Sequence, residues 1–141
     1  MTTTDAQAAA LWELGKLVNQ LDIQITAHVR ERVATIGLTP AQAAALRELT
    51  SPMTLSELAG RMICEPSNAT VVIDKLESQR LIERRPHPSD RRAKQLSLTP
   101  EGAERREKLL EILREGPPLV GLTDQEQSAL QDLLQRAISR R

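Results

Sequence analysis

The chain has 141 residues, with 19 Lys and Arg against 19 Asp and Glu. That is one domain's worth of chain, with enough apolar content for a core and no run of about eighteen apolar residues that would span a membrane. Phe and Tyr are absent and Trp occurs once, which argues against a single-stranded nucleic acid partner, because such recognition leans on aromatic stacking.

The start, Met1-Thr2-Thr3-Thr4-Asp5, has neither a basic region nor an apolar signal core, so a cytoplasmic protein is expected. From about Asp5 to Ile36 the pattern predicts one long helix. Leu11, Leu14, Val18, Leu21, Ile25, Val29 and Val33 recur at three- and four-residue steps, and Trp12 and Leu17 widen the apolar face. So long an apolar face needs a large partner, and a second copy of the chain is the expected one. His28 and Arg32 interrupt that face. With Trp12 they are the candidates for lining a ligand cavity, a partly exposed structural role being the alternative for the two polar residues.

Gly37 and Leu38 end this helix. Thr39-Pro40-Ala41-Gln42 reads as a capping box with Pro at the first helical position, opening an alanine-rich helix to Leu49. Ser51-Pro52 breaks it. Thr54-Leu55-Ser56-Glu57 is a second capping box, for a short helix to about Met62. Cys64 falls in the following turn. A single cysteine forms no internal disulfide, so Cys64 is expected as a small buried apolar residue, with thiol-based redox sensing as the alternative. His28, Cys64 and His87 are too scattered for a metal site. No nucleophile–base pair or phosphate loop is present either, so neither a cofactor nor an enzymatic activity is expected.

Pro66 suits the first turn of the next helix. Ala69, Val72, Ile73 and Leu76 form its buried stripe, and Ser67, Asn68, Thr70, Val71 and Asp74 its opposite face, with Lys75 at the edge. Small polar side chains let a helix approach base edges closely. Asn68 suits adenine N6 and N7, and Ser67 or Thr70 suits bases or phosphate.

Leu81 to Arg85 reads as a short strand, and Gln95 to Leu98 as its partner. Between them, two prolines and Ser89-Asp90 make a stiff turn. From Arg80 to Lys94 there are six Lys and Arg (80, 84, 85, 91, 92, 94) against two acids (83, 90), a net +4 on a neutral chain. Arg85, His87, Arg91, Arg92 and Lys94 are therefore candidates for contact with a polyanion, arginine above all because its planar fork grips phosphate or enters a narrow minor groove. Thr99 and Pro100 then begin a helix that Gly116-Pro117-Pro118 ends. Thr123-Asp124-Gln125-Glu126 is a third capping box, for a last helix with Leu130, Leu133, Leu134, Ala137 and Ile138 on one face, closing with Arg136, Arg140 and Arg141.

The run from Leu38 to Gly102 resembles the winged-helix core of the MarR family of regulators. The matching residues are Leu38-Thr39-Pro40-Ala41-Gln42, Leu55-Ser56-Glu57-Leu58-Ala59, Val72-Ile73-Asp74-Lys75-Leu76-Glu77, Leu81-Ile82-Glu83-Arg84, Asp90-Arg91-Arg92 and Leu96-Ser97-Leu98-Thr99-Pro100-Glu101-Gly102. The D-x-R element followed by L-T-x-x-G is the specific part. The resemblance implies a mainly α winged helix-turn-helix of about six helices with a small β-hairpin wing. Residues 38–99 would form the DNA-binding core, and 5–36 with 100–141 the dimerisation helices.

It further implies that Asp90 braces the wing, that Arg92 enters the minor groove, and that Arg91 and Lys94 lie on or near phosphates. Ser67, Asn68, Thr70 and Val71 would face the major groove, and Leu11, Leu14, Val18, Leu21, Leu130, Leu133 and Leu134 the dimer partner. A dimeric repressor of a pseudo-palindromic duplex site is the expected function, with half-sites about 10 base pairs apart. Release by a small aromatic or apolar acid is also implied. A winged helix used for protein–protein contact is the alternative. The sequence departs from the family at Val71, where relatives often carry Arg or another polar residue, and at Arg80, which replaces the usual glycine and predicts a helix end without a left-handed glycine cap.

Overall fold

A computed structural model of the chain describes residues 3–90, 92–116, 119 and 121–139. The order of elements is α1 (Thr3–Ala34), α2 (Pro40–Glu48), α3 (Leu55–Met62), α4 (Pro66–Ser78), β1 (Ile82–Pro86), β2 (Lys94–Leu98), α5 (Pro100–Leu113) and α6 (Asp124–Ser139). The fold is mainly helical with one antiparallel hairpin, a winged helix-turn-helix. Among the described residues no helix is long and apolar enough to cross a membrane.

The helix starts follow from local chemistry. Thr39 and Thr54 each accept a hydrogen bond from the backbone N–H three residues on, and Gln42 and Glu57 reach back to the cap N–H. Thr123 and Glu126 do the same at α6, at 3.2 and 2.9 Å. Each box satisfies two backbone donors that a helix start otherwise leaves unpaired.

The chain divides into two compact units, residues 29–115 and residues 1–28 with 116–141. The first holds the core: Val33, Leu46, Leu49, Leu58, Ile73, Leu76, Ile82, Leu96 and Leu109 are fully buried in one cluster, each such side chain contributing about 1.5–3 kcal/mol of transfer free energy. Ala43 and Ala45 of α2 are buried too, so the alanine-rich face does pack closely. In the hairpin Ile82 opposes Leu98, Arg84 opposes Leu96 and Pro86 opposes Lys94. Leu96 also exchanges both backbone hydrogen bonds with Met53, at 2.7 and 3.1 Å. That one-residue bridge extends the hairpin and ties it to the segment the sequence marked only as a break.

Two arginines of α5 fasten the other helices. Arg105 donates to the Ile36 carbonyl at 2.8 Å, and Arg106 donates to the Leu46 and Arg47 carbonyls at 2.9 and 3.0 Å. The Ile36 carbonyl lies in the turn after α1, and those of Leu46 and Arg47 in the last turn of α2, where helical partners run out. At the end of α5, Glu115 pairs with Arg32. Helix α5 is thus a structural member of the winged-helix unit.

The second unit is different. In α6 no residue is buried. Along α1, Leu11, Trp12, Leu14, Leu17 and Val18 are all exposed, Trp12 by 74%, and Leu21 is half-buried.

Candidate nucleic-acid interface

Helix α3, the turn after it and α4 form the helix-turn-helix. The turn is tight because Ile63 takes a left-handed conformation, φ +56°, while Ile63 N–H bonds the Gly60 carbonyl and Cys64 N–H the Ala59 carbonyl. A β-branched residue is strained there. Cys64, expected in the core, is only half-buried and lines an open surface hollow with Ile63, Glu65 and Asn68; the turn leaves it at the edge of the packed region.

Pro66 opens α4 at its first position. Ala69, Ile73 and Leu76 are buried and Val72 half-buried, so the expected stripe faces the core. Ser67, Asn68, Val71, Asp74 and Lys75 are exposed. Thr70 is half-buried, and its hydroxyl donates to the Pro66 carbonyl of its own helix at 2.9 Å. Asp74 and Glu77 are both engaged by Arg84 of β1, whose guanidinium forks between them at 2.8 and 2.6 Å. The hydrogen bond to Asp74, with Glu77 alongside, raises the Arg84 pKa against the opposing effect of partial burial. That fork ties the base of the wing to the helix.

The end of α4 corrects one expectation. Arg80 is left-handed, φ +61°, despite not being glycine. Its N–H bonds the Glu77 carbonyl and the Leu81 N–H bonds the Leu76 carbonyl, the paired bonds of a Schellman motif. The Thr99 hydroxyl donates to the Arg80 carbonyl at 2.6 Å. These three bonds impose a conformation that the residue type disfavours.

In the wing, an Asp90 carboxylate oxygen accepts the Arg92 N–H at 3.0 Å, and its carbonyl accepts the Ala93 N–H. The His87 N–H bonds the Ala93 carbonyl, and the His87 ring Nδ1 accepts the Ser89 N–H at 3.1 Å. The loop is therefore closed by its own polar groups. Its cations sort into two sets. Arg84 and Arg85 have internal acid partners, Arg85 pairing with Glu83. Arg92 and Lys94 are exposed and form no ion pair with a described residue. Arg91 lies outside the described residues, as do Arg140 and Arg141 at the chain's end.

The remaining candidates fall elsewhere. Leu11, Leu14, Val18, Leu133 and Leu134 are exposed apolar residues, and Leu21 and Leu130 are half-buried. Trp12 and His28 belong to the first-helix unit, whereas Arg32 belongs to the winged-helix unit and is held by Glu115. Sequence reasoning missed Arg84, Arg105 and Arg106 as positioning residues. The signal available for Arg84 was Asp74 and Glu77 at helical spacing on the face toward the wing.

A helix-turn-helix and a basic hairpin fastened to its second helix define a winged helix-turn-helix protein. The MarR family profile matches residues 38–94. The chain is 34% identical over 105 residues to the uncharacterized HTH-type transcriptional regulator YkoM of Bacillus subtilis, a match covering 72% of this chain and 68% of that protein. It is 40% identical over 81 residues to the transcriptional repressor MdtR of the same organism, covering 56% of this chain and 52% of MdtR, so the match spans about half that relative's length. The crystal structure of a MarR variant from E. coli complexed with operator DNA superimposes with a TM-score of 0.82 at 24% identity, over 91% of this chain and 95% of that one. The chain belongs to the MarR family, and the curated relatives it matches are named as HTH-type transcriptional regulators.

Proposed function

We propose that this chain binds duplex DNA as a homodimer in the cytoplasm and represses transcription from a pseudo-palindromic promoter site. One observation carries the reading: an exposed polar helix face is fastened through Arg84 to a wing whose Arg92 and Lys94 have no internal acid partner among the described residues. Such a pairing fits α4 in the major groove, through Ser67, Asn68, Thr70, Val71 and Lys75, with the wing on phosphates and the adjacent minor groove. Repression is named for the relative MdtR, and operator DNA for the E. coli protein.

The exposed apolar residues of α1 and α6 support a second copy as the partner of that unit. We therefore assign residues 38–99 to DNA and the flanking helices to dimerisation, with α5 also serving the winged-helix unit. Release by a small aromatic or apolar acid is the regulatory half of the proposal, and family membership is what supports it.

The test is fluorescence anisotropy of a labelled duplex from upstream of the protein's own gene, against a scrambled duplex, across salt. A preference of about a thousandfold, falling steeply with salt, is expected of a regulator that grips several phosphates. Equal and weak binding to both, repeated with fragments selected genome-wide, would favour a wing used for protein contact. Sedimentation at micromolar concentration should give a dimer, and a monomer would contradict the dimeric reading.

A further inference from the structure

We propose that Val71 and Asn68 are the specificity-determining pair of α4, reading a thymine methyl group and a nearby adenine edge, so that each half-site is recognised through A·T pairs rather than through guanine. The proposal rests on the duplex-reading function given above. It follows from which side chains the fold leaves available on the helix.

On a helix whose buried side is Ala69, Ile73 and Leu76, positions 67 and 71 lie at the centre of the outer face, with 68 and 75 on one flank and 74 on the other. The fold removes two polar groups from that face. Asp74 is held by Arg84, and the Thr70 hydroxyl proton is committed to the Pro66 carbonyl. Guanine is read chiefly by Arg or Lys bidentate to O6 and N7. In α4 the one cation is Lys75, in the last turn, whereas base contacts of a helix-turn-helix come from the N-terminal part of the recognition helix.

What remains there is an aliphatic group, an amide and the exposed Ser67 hydroxyl, and a single hydroxyl serves donors and acceptors alike and so discriminates least among bases. Val71 is 71% exposed, and no described residue covers it. The thymine C5-methyl group is the apolar feature of the major groove, so contact there removes both groups from water without stranding a polar atom. The Asn68 side chain is exposed and makes no hydrogen bond among the described residues. Its carbonyl and NH2 match adenine N6–H and N7. Residues three apart on a helix stand about 5–6 Å from each other, between one and two base-pair steps of about 3.4 Å. The pair can therefore address neighbouring or next-neighbouring base pairs of one site.

The test begins with selection of bound sequences from a random duplex pool by the full chain. In the selected site, each thymine is replaced by deoxyuridine, which lacks only the methyl group, and each adenine by 7-deazaadenine, which lacks the N7 acceptor. Deoxyuridine at one position should weaken wild-type binding about fourfold for each half-site substituted, the size expected for one buried methyl group. Val71→Ala should bind the two versions alike. One 7-deazaadenine position should weaken wild type about tenfold, with Asn68→Ala indifferent to it. A selected site in which every thymine tolerates deoxyuridine, or in which guanines are the required bases, overturns this inference and leaves the proposed function standing. A pool that yields no preferred sequence overturns both.

Discussion

The carbonyl oxygen of Leu81 occupies the place that a β-carbon on Gly102 would take. Gly102 ends the L-T-x-x-G motif. Its N–H donates to the Thr99 hydroxyl oxygen at 3.0 Å, while the Thr99 N–H bonds the same Leu81 carbonyl. The first turn of α5 is thereby laid directly on the start of the wing, and the glycine is there for space. Gly102→Ala must push backbone against backbone, and neither side can swing away. We expect a loss of about 3 kcal/mol or more, at the upper end of the overpacking range. Urea denaturation followed by circular dichroism measures it, and an unchanged midpoint would mean that the contact relaxes freely.

Arg80 is the opposite case, a position that suits glycine and carries a side chain. Left-handed backbone costs an L-residue about 1–2 kcal/mol, offset in part by the greater unfolded-state freedom of glycine. Arg80→Gly should raise stability by about 0.5–1 kcal/mol in the same denaturation experiment. A decrease would show that the arginine side chain, rather than the backbone conformation, is what the position needs.

These two positions mark where the sequence was and was not legible. Capping boxes at Thr39, Thr54 and Thr123 could be read directly, because both partners lie within three residues. The buried stripe of α4 could be read because a single period fixes it. The roles of Arg105 and Arg106 could not, since the carbonyls they bind lie 59 to 69 residues earlier in the chain. Nor could the Met53–Leu96 bridge, which at one residue is too short to show a strand period. The left-handed Arg80 was misjudged because residue preference was weighed without the hydrogen bonds that override it. At the wing, composition gave the net charge, but only coordinates separated Arg84 and Arg85, which have acid partners, from Arg92 and Lys94.

The start of α6 should respond to acid. The hydrogen bond from the Thr123 backbone, then that from its side chain, lowers the Glu126 pKa below the ordinary glutamate value. A lowered folded-state pKa means stability that is present above the unfolded-state pKa, about 4.3, and is lost as pH falls through the folded one. Helicity in wild type should therefore decline below about pH 4.3, and a Glu126→Gln variant should lack that component of the decline. Circular dichroism at 222 nm from neutral pH downward tests this. Matching acid limbs in the two proteins would remove Glu126 from the response.

Arg84 and Arg92 should fail in different ways when each is replaced by alanine. Arg84 is two-thirds covered and shared by two acids of α4. Its loss should cost about 1 kcal/mol or somewhat more of stability, the scale of a well-formed bidentate pair at a partly exposed site. DNA affinity should fall as a consequence of the loosened wing, with the salt slope little changed. Arg92 has its backbone held by Asp90, while its side chain is exposed and without an ion-pair partner among the described residues. Arg92→Ala should leave the denaturation midpoint where it was, weaken duplex binding at least about tenfold through loss of a minor-groove arginine, and reduce the salt slope by roughly one for each half-site bound. The comparison needs only anisotropy across salt and one denaturation curve for each variant. If Arg92→Ala binds like wild type while still folded, the wing is not in the groove, and Lys94 with α4 must carry the phosphate contacts.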